Sequence, residues 1–395
     1  MSDFKNYYEE SLGFLLNGKF SNSFLFFQAP GHPYLMSLVF RLTNTTEISL
    51  IQFLNAGIYV FCIVLSHLSF EIKPLWLKYV GTVSLSICVS YLSLMGYLAA
   101  EFHFLCYFVM GNFCLIKYLE APIAKQKMLI VLVALFFGIA QFVRPLSFYY
   151  LLFFGFGLFY LKVLRKKTLV FESKATLWQY VLVFMVFMLV SLSLYKNATG
   201  KWAYQPSQNG LWSVYIGFNA KAKGIYNDAD ITEFRKIAEP LNWNGELLRE
   251  ILKPKTIERV QNNWQANAQQ LPQRSLRLLV PYFTSYWFLV KSVPPSSMAV
   301  LWMKSVFVVS TLIVLLSYFV NLFYFFKLLK KKYLKPLEIF VFCALLSTFS
   351  YIFIHVFCLE IQARYAAHLV FLNLWILPLS LKSILQPNPK FNESS

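Results

Sequence analysis

The chain has 395 residues, 58% hydrophobic, 19% aromatic and only 14% charged, with a mean hydropathy of +0.54. That composition excludes an ordinary soluble domain and reads as an all-α polytopic membrane protein. The net charge of +18 does not indicate nucleic acid, because the basic residues cluster in short loops between apolar runs, where they orient helices.

The first 47 residues hold two amphipathic pieces. Residues 4–17 carry Tyr7, Tyr8, Leu12, Leu15 and Leu16 at roughly helical spacing, and 34–42 follow Pro33. Both are too short to span a bilayer and are expected to lie on its outer surface. The opening residues are polar and acidic, which is not the pattern of a cleavable signal peptide.

Apolar runs follow at 48–68, 79–97, 99–118, 128–143, 147–164, 178–195, 299–326, 337–359 and 366–381. A spanning helix needs about 20 mainly apolar residues, so about nine transmembrane helices are expected. Run 128–143 is short, and 79–97 is rich in serine. Lysine and arginine sit in alternate loops: Lys73 and Lys78; Lys117, Lys125 and Lys127; Lys162 to Lys174; Lys327 to Lys335. The positive-inside rule places these loops in the cytoplasm. Residues 1–47 and 197–298 then lie outside, flanking the spans at 48–196 and 299–384, with a cytoplasmic tail at 385–395.

Segment 197–298 is the only sizeable hydrophilic region, with turn-rich pieces near Pro206 and Gly217 and a helical-looking piece at 231–267. About a hundred residues suit a small extracytoplasmic cap. Pro281, Pro294 and Pro295 break the chain before it re-enters the membrane, and Tyr282, Phe283, Tyr286, Trp287 and Phe288 suggest an interfacial end. The six cysteines (Cys62, Cys88, Cys106, Cys114, Cys343, Cys358) fall in apolar runs without CxxC spacing and read as small buried hydrophobes.

This threading brings Asp3, Glu101, Arg144, Glu360, Gln362 and Arg364 to one side of the membrane. Ionisable groups at the ends of apolar helices are expensive and by default functional. Each has a plainer reading. Asp3 could cap the first helix, Glu101 could reach water, Arg144 could snorkel beside Pro145, and Glu360 could pair with Arg364 at i,i+4. The functional reading of Arg364 is phosphate binding through its bidentate fork. His32, between Gly31 and Pro33, reads as a turn residue. No HExxH, P-loop, GxGxxG or convincing metal cluster is present.

Several stretches together resemble the GT-C superfamily of polytopic glycosyltransferases. The likeness is greatest to dolichyl-phosphate-mannose mannosyltransferase-like and aminoarabinose transferase-like members. Ser2-Asp3-Phe4 with Tyr7-Tyr8, Leu15-Leu16 and Gly18 is similar to the family's first outer loop, and Pro30 to Leu42 to its juxtamembrane helix. Ala100-Glu101-Phe102 and Val143-Arg144-Pro145 resemble its second acidic element and its Arg-Pro element. Gly210-Leu211, Tyr215 to Asn219 and Gly224 to Asn227 resemble its outer loop, and Gln362-Ala363-Arg364-Tyr365 its last-helix Arg-Tyr element. The chain differs in starting at the Asp loop without the family's preceding helix. It also has Phe4 where a second acid is common, and His368 where a proline follows Arg-Tyr.

The resemblance implies transfer of a sugar from a polyprenyl-phosphate donor to a glycan, lipid or protein hydroxyl. It implies an active site on the extracytoplasmic side of a bacterial cytoplasmic (inner) membrane. Asp3 would be the base and Glu101 a second acid. Arg364, Arg144 and Tyr365 would hold the donor phosphate, and Asn209, Tyr215 and Asn219 would be loop contacts. No cofactor is required by the sequence, although a divalent cation fits such chemistry, and the only partners expected are donor, acceptor and bilayer. The alternatives are a flippase or transporter of lipid-linked sugars, which would place ionisable groups near the bilayer midplane, and a surface-polysaccharide polymerase or ligase.

Overall fold

The computed structural model describes residues 3–121, 123–164, 175–202, 209–279, 297–331, 333–360 and 363–385. It is built of helices. Three short ones come first: α1 (Asp3–Asn17), α2 (Asn22–Phe27) and α3 (Gly31–Thr43). The membrane part follows with α4 (Ile48–Ser69), α5 (Leu75–Ser86), α6 (Val89–Leu92), α7 (Ala100–Glu120), α8 (Ile123–Val143), α9 (Ser147–Phe159) and α10 (Ala175–Thr199). The hydrophilic segment between the two groups of spans, called the cap below, contributes α11 (Gly210–Gly217), α12 (Asp228–Ala238), α13 (Gly245–Gln269) and α14 (Leu271–Leu279). The chain closes with α15 (Ser297–Lys330), α16 (Pro336–Cys358), a 3-10 turn at Ala363–Ala366 and α17 (Ala367–Leu385).

Among the described residues eight helices are long and apolar enough to cross a membrane, and a further apolar helix, Ser147–Val163, is shorter. Two boundaries differ from the sequence expectation. The run at 79–97 is not one helix: α5 starts earlier, after Pro74, ends at Ser86, and is followed by the single turn α6. Ser84 and Ser86 donate back to the carbonyls of Val80 and Thr82, a pattern that loosens and bends a helix. The helical piece at 231–267 is two helices, α12 and α13. Asn242 and Trp243 take left-handed backbone between them, and Asn244 caps α13 through Glu246 and Leu247.

The most enclosed spans are α7 and α17, with 72% of each window buried, and α16 with 67%. By contrast α4 has 22% buried and presents Phe53, Val60 and Leu68 outward. Helices α10 and α15 likewise expose Met185, Leu189, Leu316 and Phe319. Exposed apolar surface of this extent suits a lipid solvent. Buried amides tie the inner spans together. Asn321 donates to the carbonyl and to the side chain of Asn373, Asn373 donates to Ser317, and Ser380 donates to Asn321. Tyr150 donates to Asn112 in the same way.

Helix α1 lies against α3, with Tyr8 edge-on to Phe40 at 6.1 Å. Helix α2, which the periodicity did not reveal, supplies Phe26 to the core of the cap. Phe26 sits 5.3 Å from Phe234, itself stacked on Trp212 at 4.5 Å. Two glycines permit the close approaches that fix these parts. A Cβ on Gly31 would collide with the Phe142 carbonyl, and one on Gly217 would lie 2.5 Å from the Cys358 oxygen. The first seats α3 on α8; the second seats the cap on the end of α16.

Candidate active site

A cavity of about 460 Å³ opens between α1, α2, the cap and the link after α16. Its walls carry four carboxylates, Glu9, Glu10, Glu239 and Glu360, against one guanidinium, Arg235. Aromatic faces come from Phe27, Trp212, Tyr226, Trp243 and Tyr365. A volume of this size and mixed lining is typical of a small-molecule site. Local capping builds its rim. Ser21 caps α2 by accepting from the Phe24 amide, and Glu10 holds the Ser21 hydroxyl and, at 2.9 Å, its amide. Tyr7 donates to Gln28 at 2.9 Å, and Asn209 donates to the Phe27 carbonyl at 2.8 Å, tying the start of α11 to α2.

Beside this cavity lies the Glu101–Arg144 ion pair, at 3.1 Å, with the two side chains 3% and 12% exposed. Glu101 sits in the first turn of α7. Arg144 follows α8, where Pro145 prevents further helix. Neither residue simply reaches water, so the interfacial-carboxylate and snorkelling readings do not hold. A buried pair of this kind survives only when both charges are retained. The Arg144 guanidinium also lies 5.7 Å over the ring of Tyr365, which lines the cavity. Tyr365 therefore separates the ion pair from the open space. Its carbonyl accepts from Tyr351, which stacks on His355 at 4.0 Å.

His32 is not a turn residue. It stands in the first turn of α3, fully buried, with its Nδ1 2.8 Å from the Nδ1 of His103 and its Nε2 3.3 Å from the Leu98 carbonyl. A carbonyl can only accept, so Nε2 carries the His32 proton and its Nδ1 receives one from His103. Burial pushes the His32 imidazole well below its usual range, and the neighbouring His103 and Arg144 act in the same direction. The neutral pair thus joins the juxtamembrane helix to α7, two residues from Glu101.

The cap has its own polar core. Arg259 forms a two-pronged pair with Asp230, both contacts at 3.0 Å, and donates to the Tyr215 hydroxyl at 2.6 Å. Asn219 and Asn227 each donate to Asp230 at 2.7 Å. Burial alone would raise the Asp230 carboxyl, but the bonds from Arg259, Asn227 and Asn219 outweigh it and hold the group below its usual value. Arg274 is fully buried and bonds the carbonyls of Val356 (2.6 Å), Gly217 (2.6 Å) and Leu359 (2.8 Å), with Asn267 at 3.0 Å. It is a bolt between α14, α11 and the end of α16. The Glu360 amide completes that joint by donating to the Ser213 carbonyl.

The structure therefore brings Asn209 and Tyr365 to the cavity with Glu360, and sets Glu101 and Arg144 behind Tyr365. Tyr215 and Asn219 belong to the Asp230–Arg259 network and do not line the cavity. Asp3 opens α1, and Asn6 and Glu10, three and seven positions on, line the cavity. The side chains of Asp3 and Arg364, the whole of Gln362, and the aromatic stretch from Tyr282 to Phe288 lie outside the described residues. Glu360 precedes the 3-10 turn and is not on a helix with position 364, so an i,i+4 pair along one α-helical face is not what the backbone offers. Sequence reasoning missed Glu9, Glu10, Arg235 and Glu239, because charges on short amphipathic helices look like an ordinary wet face. Among the described residues no three His, Cys, Asp or Glu side chains are grouped to hold a metal ion. Comparison with protein-family models, curated proteins and solved structures finds no match.

Proposed function

We propose that the chain is a membrane glycosyltransferase that moves a sugar from a polyprenyl-phosphate donor to an extracytoplasmic acceptor. The observation that carries this reading is the buried Glu101–Arg144 pair set behind Tyr365, at the side of a cavity walled by carboxylates and aromatic faces. Aromatic faces suit the apolar sides of sugar rings, and carboxylates suit their hydroxyls. Buried cationic groups suit a leaving phosphate, where preorganised charge is the largest single term in such transfers.

In this mechanism Asp3 takes the proton from the acceptor hydroxyl. The acceptor oxygen forms a bond to the anomeric carbon as the bond from that carbon to the phosphate oxygen breaks, and the electron pair leaves on the lipid phosphate. Attack opposite the phosphate inverts the anomeric centre. Arg144, with Arg364, offsets the growing negative charge. Glu101 holds the Arg144 guanidinium in place and acts as the second acid. The site faces away from the cytoplasm, in keeping with the basic loops.

The test is transfer from a radiolabelled polyprenyl-phosphate sugar by the purified chain in proteoliposomes. Asp3→Asn keeps shape and helix-capping ability but removes the base. General base catalysis typically contributes about 10²–10⁴-fold, and a loss of that order is expected with unchanged melting temperature. Turnover equal to wild type in Asp3→Asn would remove Asp3 from the chemistry. A wild-type protein that moves the intact lipid-linked sugar across the bilayer without transferring it would be a transporter.

A further inference from the structure

The buried contact between His32 and His103 is a joint that one proton can undo. Its two Nδ1 atoms lie 2.8 Å apart, and the Nε2 of His32 is spent on the Leu98 carbonyl. His32 can take its part in the contact only with a bare Nδ1, which accepts from His103. A proton on that atom would set two donors against each other across 2.8 Å. Docking of His32 on His103 and protonation of His32 at Nδ1 therefore exclude one another.

The surroundings give an added charge no counter-ion. Among the described residues no carboxylate forms an ion pair with either imidazole. Glu101, two residues from His103, is held by Arg144. Tyr7 of α1 stands edge-on to His32 at 4.9 Å. The Arg144 charge acts on His32, and also on Tyr91 of α6 and His368 of α17. A cation on His32 would face that guanidinium without compensation. A proton on the far nitrogen of His103 meets the same burial and the same lack of a partner.

The joint bears on the cavity. Tyr7, against the His32 ring, donates to Gln28 at 2.9 Å. Gln28 lines the cavity, as do Asn6, Glu9 and Glu10 of α1. His32 stands in the first turn of α3, and α1 packs along that helix. Releasing His32 loosens the wall that α1 supplies. The cap wall, where Phe26 meets Phe234, does not depend on it.

We propose that the His32–His103 pair is an acid-sensitive latch on the cavity. With the His32 Nδ1 bare, it holds α1 and α3 on α7 and keeps the cavity walled. When that atom takes a proton from water, α1 and the first turn of α3 detach. The proposal does not depend on which reaction the cavity serves. A released imidazole titrates near 6.5. The latched form is therefore fully favoured above that pH, and the released form gains up to about tenfold for each pH unit below it.

The experiment follows hydrogen exchange of the full chain in nanodiscs of neutral lipid at pH 7.5 and 5.5, corrected for the intrinsic rate. Both values lie above the usual carboxylate range, so Glu9 and Glu10 stay ionised. Wild type and His103→Asn are compared. In wild type, α1 and the first turn of α3 should open about tenfold more at the lower pH, while α16 and α17 change little. An asparagine amide at position 103 can turn to donate to a bare His32 or accept from a protonated one, so His103→Asn should flatten the response. A flat wild-type response overturns the latch. An equal response in both proteins moves the proton to another group, such as His355 or His368, and also overturns it. Should His103→Asn fail to fold, nitrogen NMR of histidine-labelled wild type decides. A His32 that carries a proton on Nδ1 while α1 and α3 remain protected would show that docking and protonation are compatible, and the latch would fall.

Discussion

Replacing Arg274 by methionine should detach the cap from the membrane helices while leaving both parts folded. The side chain is fully buried and makes four bonds, three of them to backbone carbonyls on two different elements. Methionine fills much of the space but donates nothing. Val356, Gly217 and Leu359 then keep desolvated oxygens, each unfavourable by about 1–3 kcal/mol before relaxation. Allowing for water entering the gap, a loss of about 3–5 kcal/mol is expected, the usual range when one partner of a buried charged contact is removed. Burial already lowers the Arg274 pKa to about 10, so the group is charged at pH 7 and the methionine variant removes a cation. The affected equilibrium is local opening, which hydrogen exchange reads directly. A loss of 3–5 kcal/mol corresponds to roughly 10²–10⁴-fold faster exchange. The increase should fall in α14, in α11 and in the last turn of α16, and not in α7 or α17. Exchange in α14 equal to wild type would refute the assignment of Arg274 as the bolt. Uniform acceleration through the spans would show that cap and membrane part do not open separately.

Glu101→Gln leaves the Arg144 charge buried and should lower stability by about 3–5 kcal/mol; adding Arg144→Met should restore the melting temperature but not sugar transfer, and a double variant no more stable than Glu101→Gln would deny the pairing. For Asp230 the folded pKa is depressed, so its contribution is fully present above the ordinary carboxylate value of 3.8 and is lost as pH falls through the lower folded value. Cap stability followed by exchange or melting should drop on acidification below about pH 4, and Asp230→Asn should flatten that limb while lowering stability at pH 7. Single cysteines at Asn209 and Glu360 should react with an impermeant thiol reagent added outside, and one at Lys331 only after permeabilisation; labelling of position 331 in intact cells would invert the topology.

The membrane part was legible because its signals are strong and local. Runs of about 20 apolar residues and lysines in alternate loops need no tertiary information, and α7, α8, α10, α16 and α17 lie within a few residues of the expected runs. Breaks set by softer chemistry were not legible: serine back-bonding in α5 and the left-handed Asn242-Trp243 reversal leave hydropathy and periodicity nearly unchanged. At the site, Glu101 and Arg144 could be singled out because an ionisable residue beside an apolar run is conspicuous. Their pairing across 43 positions could not, since it depends on how α7 and α8 pack. Tyr215 and Asn219 show the opposite failure. Their types suit a sugar, yet Arg259 and Asp230, distant in sequence, claim them for the cap. His32 was misread because Gly-His-Pro is turn-like, and only the fold reveals the imidazole partner on α7.

Helix α2 sets a schedule for the making of this protein. Phe26 and Phe27 belong to a core completed by Trp212, Phe234 and Trp243, so the two halves of that core are 185 to 217 residues apart in the order of synthesis. At roughly 5–20 residues per second, the early half is translated some 10–40 seconds before its counterpart. During that interval the phenylalanines of α2 have no protein partner from the cap, while α4 to α10 are being inserted. The bilayer surface is a ready place for them to wait, because α1 and α3 are amphipathic and lie on either side. A cap expressed without residues 22–27 would carry an unfilled aromatic socket between Trp212, Phe234 and Trp243, and would reach its mature form only if that peptide were supplied from outside.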